Sequence, residues 1–370
     1  QRGANGVVLI TTKRGEKGKV KINVKAGFDW NSPVKVPEYA SGYDWARLAN
    51  EALVGRYENP LYTNEELAII QHGLDPDLYP NVDWRDLMLK NGAPSYYANI
   101  SFSGGSDNVR YFVSGRYTGE NGRYRTASSE NTYNTNSTYE RWNYRANVDM
   151  NLTRTTVLSA SVGGWLVNRN APSSSSEDIW KSFASYTPLS APRKWSTGQW
   201  PIVNGMTTPE YQLTQTGYRT IWENKIESSI SLEQDLSFIT KGLKFNGVFA
   251  FDTYNWNQIT RSKSQELWSA ENMRDGNGNL VLKRESNASA MNQKKEVQGD
   301  KRYYLQASLD YSRMFANKHR VGAFAMVYQQ ETSDVNFAED DLMGSIPHRT
   351  LAYSGRFTYA YKDRYLTEFN

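Results

Sequence analysis

Residues 2–30 read RGANGVVLITTKRGEKGKVKINVKAGFDW, and two strand patterns follow each other in this segment. A glycine-rich turn at Gly3 and Gly6 leads into the continuous apolar, β-branched run of residues 7–12, which predicts a short buried strand. From Lys19 to Trp30, apolar or aromatic residues then alternate with polar ones. This period of two predicts a longer strand that has one apolar and one polar face.

The composition favours β structure and argues against several functions. The 370 residues include 25 Tyr, 11 Trp and 13 Phe, an aromatic content typical of sheets and interfaces, and no cysteine. The chain therefore has no disulfide, no thiolate ligand for zinc and no thiol nucleophile. The net charge of +4 is small and the basic residues are dispersed, so nucleic-acid binding is not indicated. No apolar run approaches the roughly 18–20 residues of a membrane helix.

The same alternation recurs in about eleven segments, most of them near the ~9–11 residues with which a tilted strand crosses a bilayer. One strand shows it most clearly, and its predicted lipid-facing side chains are Trp142, Tyr144, Ala146, Val148, Met150 and Leu152. Aromatic residues near strand ends are predicted to form an interfacial girdle: Trp30, Trp142, Trp165, Tyr254 and Trp256. We expect arginine at Val148 to be disruptive and arginine at Asn147, on the polar face, to be tolerated.

The connections between these segments alternate in length. Short links lie at residues 104–109, 153–155, 237–242, 315–319 and 362–363, and long ones at residues 31–94, 119–139, 168–224, 254–301 and 332–350. Side-chain alternation alone fits a soluble antiparallel sheet equally well. Outer-membrane barrels, however, have short periplasmic turns and long extracellular loops. The loop lengths therefore favour an all-β fold, an antiparallel transmembrane β-barrel with long, partly helical extracellular loops.

The first long connection contains helix signals. Ser41 and Asp44 predict the start of a helix that ends near Gly55, and Thr63 with Glu66 predicts a second that stops at Gly73. Asp83 predicts the cap of a third, short helix. Such a loop is either a packed cap over the barrel mouth or an ordered surface insertion.

Several segments resemble the SusC/RagA type of TonB-dependent outer-membrane transporters. RGANGVVLITTKRG is similar to the end of the family's plug domain, and its motif comprises Arg2, Gly3, Ala4, Asn5 and Gly6. The similarity continues in order through YPNVDW (79–84), ISFSGGS (100–106), RYFVS (110–114), YRANVD (144–149), YSGR (353–356), KDRYL (362–366) and EFN (368–370). The matches are thus spread over nearly the whole chain.

The resemblance implies a plug followed by a 22-stranded barrel in the outer membrane. On that basis we expect residues 1–15 to be the end of the plug and residues 16–370 the first half of the barrel, about eleven strands. The implied partners are a SusD-like surface lipoprotein, outer-membrane lipid and the TonB complex, which would bind an N-terminal region that these residues lack. The implied cargo is a large nutrient, most often an oligosaccharide. An oligopeptide importer and a non-transporting β-sheet binding protein are the alternatives.

Enzyme chemistry is not indicated, and no catalytic residue, cofactor site or metal site is predicted. The three histidines, His72, His319 and His348, are scattered, and no GxSxG, HExxH or phosphate-binding GxxxxGK[ST] motif occurs. DGNGN, residues 275–279, is only superficially similar to a calcium loop, because Leu280 and Ser286 replace its required glycine and glutamate. We predict a hairpin turn there.

The third long connection is rich in aromatic residues whose flat faces suit sugars, peptides and partner proteins alike. The candidate contacts to cargo or lipoprotein are Trp180, Trp195, Trp200 and Trp222. The alternative is that these side chains pack the loop against itself.

Overall fold

The computed structural model describes residues 12–36, 38–126, 131–337 and 340–370, and its main feature is an antiparallel sheet of eleven strands. Each strand of this sheet pairs with the strand of the same sheet that follows it along the chain. The number of strands, eleven, is the number predicted from the sequence. The strands of this sheet are β1 Gly18–Asn31, β2 Ala93–Gly105, β3 Val109–Asn121, β4 Thr138–Asn151, β5 Thr156–Pro172, β8 Gly217–Asp235, β9 Leu243–Ser264, β12 Ser289–Phe315, β13 His319–Asp334, β14 His348–Tyr361 and β15 Tyr365–Phe369. The predicted plug-end motif, Arg2 to Gly6, lies outside the described residues.

The pairing register aligns the apolar residues of successive strands on one face of the sheet. Val148 pairs with Ala160, which pairs with Ile230, and the row continues through Phe249 to Leu305. Many of these side chains are exposed, and an apolar surface of this extent marks a contact with another phase or molecule. All six predicted lipid-facing positions, from Trp142 to Leu152, belong to this face or continue it, because they alternate along one strand.

Aromatic rings line the edge of the apolar face nearest the long loops. Tyr96, Tyr117 and Trp142 are in contact on three neighbouring strands, with centroid distances of 5.9 Å and 4.3 Å. At the opposite edge Tyr361 stacks on Tyr365 at 6.5 Å. Aromatic residues at both edges of an apolar band are also found in the walls of outer-membrane barrels.

Short turns join the strands at one end of the sheet. Two of them have left-handed backbone at both central residues, Ala316 with Asn317 and Lys362 with Asp363. In the first, the Lys318 N–H donates to the Phe315 carbonyl at 3.0 Å. This is the tight hairpin geometry whose twist matches that of the paired strands.

The long connections lie at the other end and carry the remaining elements. The helices are α1 Gly42–Val54, α2 Asn64–His72, α3 Trp84–Met88, α4 Ser176–Ser185 and α5 Pro209–Thr214. A second, four-stranded sheet comprises β6 Trp200–Val203, β7 Met206–Thr207, β10 Leu267–Arg274 and β11 Leu280–Ser286. No helix among the described residues is both long and apolar enough to cross a membrane.

The predicted helix caps are confirmed. Ser41 and Asp83 each accept a hydrogen bond from the backbone N–H three residues on, and Thr63 and Glu66 form a complete capping box. Gly73 closes α2 in the left-handed conformation. The DGNGN segment is the predicted hairpin turn: the Asp275 side chain accepts from the backbone N–H groups of Asn277 and Asn279 between β10 and β11.

Two of the long loops are shorter than predicted. β9 continues to Ser264 and β12 begins at Ser289, so half of the predicted loop 254–301 belongs to these two paired strands. The predicted loop 168–224 is shortened less, because β5 runs to Pro172 and β8 begins at Gly217. The extensions of β9 and β12 are largely polar on both faces, as in the pairs Gln258–Glu296 and Ser262–Asn292. They show no alternation of apolar with polar residues, because strands that rise beyond the apolar band have no apolar face to present.

Candidate functional site

The polar face of the sheet is covered near β3 and β4 by the segment that precedes β1. Asn147 Nδ2 donates to the Lys13 carbonyl at 2.6 Å, and Arg14 forms an ion pair with Asp149. Gly15 lies so close to the Tyr111 backbone that a Cβ atom there would clash. The segment therefore crosses the polar face, opposite the apolar band; we call this polar face the inner face.

This contact changes one expectation from the sequence. Asn147 is only 2% exposed. An arginine there would not meet an open, wet face; it would displace residues 12–14 from the sheet. Ser229 lies in the same row of the inner face, linked through Ser161, and is only partly buried. It is the better position for a polar-face control.

Farther along, the inner face carries a group of aromatic and charged side chains around a hollow of about 380 Å³. Trp165 and Tyr254 have ring centroids 6.0 Å apart, and the Arg141 guanidinium lies 5.1 Å from the Trp165 ring. Beside them Arg302 donates to Asp252 at 2.5 Å. The site offers flat rings together with charges of both signs, and so suits an amphiphilic, hydrogen-bonding ligand.

These aromatics were expected in the interfacial girdle, and for three of them that expectation is wrong. Trp165, Tyr254 and Trp256 pair with Lys225, Asp300 and Gln298 and belong to the inner face. Trp30 and Trp142 do lie on the apolar face. The pair Gly163–Gly164 interrupts the alternation in β5, so the face of Trp165 could not be read from the sequence.

Above the sheet, the long loops pack into one body, which we call the loop cap: residues 32–36, 38–92, 122–126, 131–137, 173–216 and 265–288. Its larger core joins α3 to the third loop and contains the buried residues Trp84, Met88, Ile179, Phe183, Tyr186, Ala191 and Leu213. Trp84 packs edge-on against Tyr186 at 5.5 Å and donates through Nε1 to the Thr187 carbonyl at 3.2 Å. The helical first loop is thus packed against its neighbours, as the cap interpretation expects.

An arginine from the fourth loop fastens it to the first. Arg274 donates to Asp75 through Nε at 2.8 Å and through Nη2 at 2.6 Å, and Nη2 also contacts Asp77. The guanidinium holds the pKa of the Asp75 carboxyl below its usual range. Asp77 Oδ1 accepts from the Ser196 N–H of the third loop at 2.8 Å, so one cluster ties three loops together. Within the first loop, by contrast, the hydrogen bond that Tyr79 donates to Glu66 raises the pKa of the Tyr79 hydroxyl to about 12.

The four tryptophans predicted as contacts occupy three different environments. Trp195 and Trp200 are buried in the loop cap, and Trp195 Nε1 donates to the Trp268 carbonyl at 2.8 Å. Trp222 is 44% exposed and pairs with Asn168, on the apolar face next to the girdle. Trp180 is 43% exposed and lines a cleft of about 740 Å³ in the loop cap. Trp180 is therefore the one of the four that faces open space within the loops.

Two groups were missed by sequence reasoning: the inner-face ring pair Trp165–Tyr254 and the Arg274 cluster. Arg274 and Asp75 are 199 residues apart, and no local pattern links them. The face of Tyr254 could have been predicted by counting alternate residues forward from Phe249 and Phe251, which lie on the apolar face. Tyr254 is three residues after Phe251 and therefore lies on the inner face.

Comparison with known proteins gives related receptors. The chain is 36% identical to a TonB-dependent receptor of Formosa agariphila over 156 residues, which are 41% of this chain and 13% of that protein. It is 24% identical to the TonB-dependent receptor SusC of Bacteroides thetaiotaomicron over 225 residues, 58% of this chain and 19% of that receptor. No family model matches.

Solved structures agree on the fold. The RagAB peptide importer in its closed-closed state matches 97% of this chain and 42% of its own chain, with a TM-score of 0.62 and 18% identity. Its open-open state matches 98% of the chain with a TM-score of 0.61 and 17% identity. The chain thus shares the fold of RagAB and is similar in sequence to TonB-dependent receptors, SusC among them.

The chain spans only 13–19% of the length of these curated relatives and about two fifths of the solved neighbours. The open eleven-stranded sheet accordingly corresponds to part of a barrel wall.

Proposed function

We propose that this chain forms the first half of the barrel of a TonB-dependent receptor that imports large nutrients across the outer membrane. The observation that carries the proposal is the two-faced sheet. Its outer face is an apolar band between aromatic edges, and its inner face is polar and carries the Trp165–Tyr254 group. The relatives named TonB-dependent receptors support the same function.

We further propose that residues 1–15 are the end of a plug domain and that residues 16–370 are barrel wall with its loops. The contacts of Arg14 with Asp149 and of Asn147 with Lys13 support this division, because they place the last described residues before β1 against the inner face. A plug inside a barrel meets the wall on that face. In this arrangement the TonB complex acts through residues that precede the plug end.

The proposed partner is a SusD-like surface lipoprotein, and the proposed cargo is an oligosaccharide. The loop cap supports the partnership because it is a packed body with its own cores, able to present a fixed surface. Aromatic faces on the inner wall and at the cleft suit sugar rings. Oligopeptide import is the second candidate, favoured by the likeness in fold to the RagAB peptide importer.

Deleting the gene for the full-length receptor tests this function. We expect growth on one class of oligosaccharide to stop while growth on its monosaccharide continues, because a monosaccharide is small enough to enter through general porins. Restoring the receptor should restore growth only in cells with an intact TonB complex. Loss of growth on oligopeptides alone would transfer the proposal to peptide import. Unchanged growth on both classes would contradict it.

A further inference from the structure

The large cleft in the loop cap has a distinctive set of charges. Its walls come from the residues after β1, from α3 with the segment that follows, from residues 123–124 and from α4. Four cationic side chains line it, Lys35, Arg85, Lys90 and Arg123, against two carboxylates, Asp83 and Asp86. The cleft thus carries an excess of positive charge.

Both carboxylates already have partners of their own. Asp83 Oδ1 accepts from the Asp86 backbone N–H at 3.0 Å and caps α3. Asp86 Oδ1 accepts from Arg125 Nη2 at 3.2 Å. Within the described part of the chain, none of the four cleft cations forms an ion pair with them or with another carboxylate. The positive charge of the cleft is therefore available to a ligand.

Two of these cations are held opposite each other. Leu89 and Tyr124 form an antiparallel bridge, and the Lys90 N–H donates to the Arg123 carbonyl at 2.7 Å. Lys90 and Arg123 are therefore directly opposed across the bridge, an arrangement that is unfavourable for like charges. An anion bound between them would relieve the repulsion, and the Arg123 guanidinium can bind a carboxylate or sulfate through two parallel hydrogen bonds.

Trp180 adds a flat apolar surface to the same cleft. It lies on α4, whose other side is buried through Ile179 and Phe183, and its ring meets Phe183 edge-on at 5.3 Å. The helix thus holds the half-exposed indole in place. An aromatic face beside cations suits a ring that is apolar on one side and carries an acidic group at its edge.

We propose that the cleft binds an acidic oligosaccharide, with its carboxylate or sulfate groups at Lys90 and Arg123 and one sugar ring on Trp180. This inference rests on the proposed import function, for which it specifies the cargo class. The volume of about 740 Å³ is that of a site for a small organic ligand. One common way to hold an extended peptide is by backbone hydrogen bonds to a strand edge. Here the Lys90 N–H and the Arg123 carbonyl are bonded to each other, so these two backbone groups are not available to a peptide strand.

Binding to the purified full-length receptor tests the inference without any transport step. The probes are tetragalacturonate, tetramannuronate and a chondroitin sulfate tetrasaccharide, each with its carboxyl-reduced or desulfated counterpart, and hexaglutamate as an acidic peptide. Titration calorimetry should show at least one acidic oligosaccharide binding about tenfold or more tightly than its neutral counterpart. The preference should shrink as salt is raised, since screening weakens charge pairs.

Three variants assign the effect to the cleft. The double variant Lys90→Gln/Arg123→Gln should lose the preference for the acidic oligosaccharide. Trp180→Ala should weaken the binding of the acidic and the neutral oligosaccharide alike. The matched control is Lys181→Gln/Arg47→Gln, which removes two positive charges from the loop cap outside the cleft and should change nothing. An unchanged preference in the double variant, no preference with any probe, or equally tight binding of hexaglutamate would overturn the inference. Import itself would still stand if the growth phenotype persisted.

Discussion

Replacing Ile230 by arginine should sharply lower the amount of folded receptor in the outer membrane. Ile230 is 52% exposed in the middle of β8 and lies in the apolar row with Val148 and Phe249. An arginine facing lipid near the midplane costs about 2–4 kcal/mol. The measurement is the fraction of receptor in outer-membrane preparations that migrates as a folded barrel in unheated detergent gels.

The adjacent residue supplies the control. Ser229→Arg places the same side chain at the same depth on the inner face, where Ser229 shares a hydrogen bond of 3.1 Å with Ser161. We expect a small loss there and a loss at Val148→Arg similar to that at Ile230. Equal losses at Ile230 and Ser229 would mean that the two faces meet the same medium, contrary to the assigned topology.

The second large effect is expected at Trp84, in the larger core of the loop cap. Trp84→Ala removes a 4%-exposed indole, its contact with Tyr186 and its hydrogen bond to the Thr187 carbonyl. Truncation of a buried tryptophan costs about 3–5 kcal/mol. Because the barrel wall does not depend on this core, the loss should appear as local opening of the loop cap, with the barrel still folded.

Hydrogen exchange measured by mass spectrometry separates these two responses. Protection should fall in residues 84–89 and 176–191 and stay unchanged in β4 and β5. Tyr62→Ala, in the same loop but outside this core, should leave protection in residues 176–191 unaffected. Unchanged protection in Trp84→Ala would show that the loops do not share a core.

The barrel wall was largely predictable from the sequence, because a strand between lipid and water must alternate. The shared apolar face of alternate residues in β4, the number of strands in the sheet and the alternation of short and long connections all follow from that constraint. Where the constraint ends, prediction failed: β9 and β12 extend beyond the apolar band as largely polar strands. The end of β9 was placed about ten residues too early, and the start of β12 more than ten residues too late.

The candidate site was less predictable, because its contacts are distant in sequence. Helix starts at Ser41, Thr63 and Asp83 depend on neighbouring residues and were predicted correctly. The Arg274–Asp75 pair joins residues 199 apart. A single sequence likewise could not tell the buried Trp195 from the half-exposed Trp180, since both lie in polar, aromatic-rich segments without clear periodicity.

The central claim, that the sheet has one face toward lipid and one toward a wet lumen, can be tested directly by cysteine labelling. The 370 residues contain no cysteine, so single substitutions within them are unambiguous. Cysteine would be placed at each position from 226 to 233 of the full-length receptor in lipid vesicles, with any cysteine outside these residues removed. Each protein would be treated with a charged, water-soluble thiol reagent. We predict labelling at 227, 229, 231 and 233 and protection at 226, 228, 230 and 232. Uniform labelling, or labelling with no period of two, would contradict the claim.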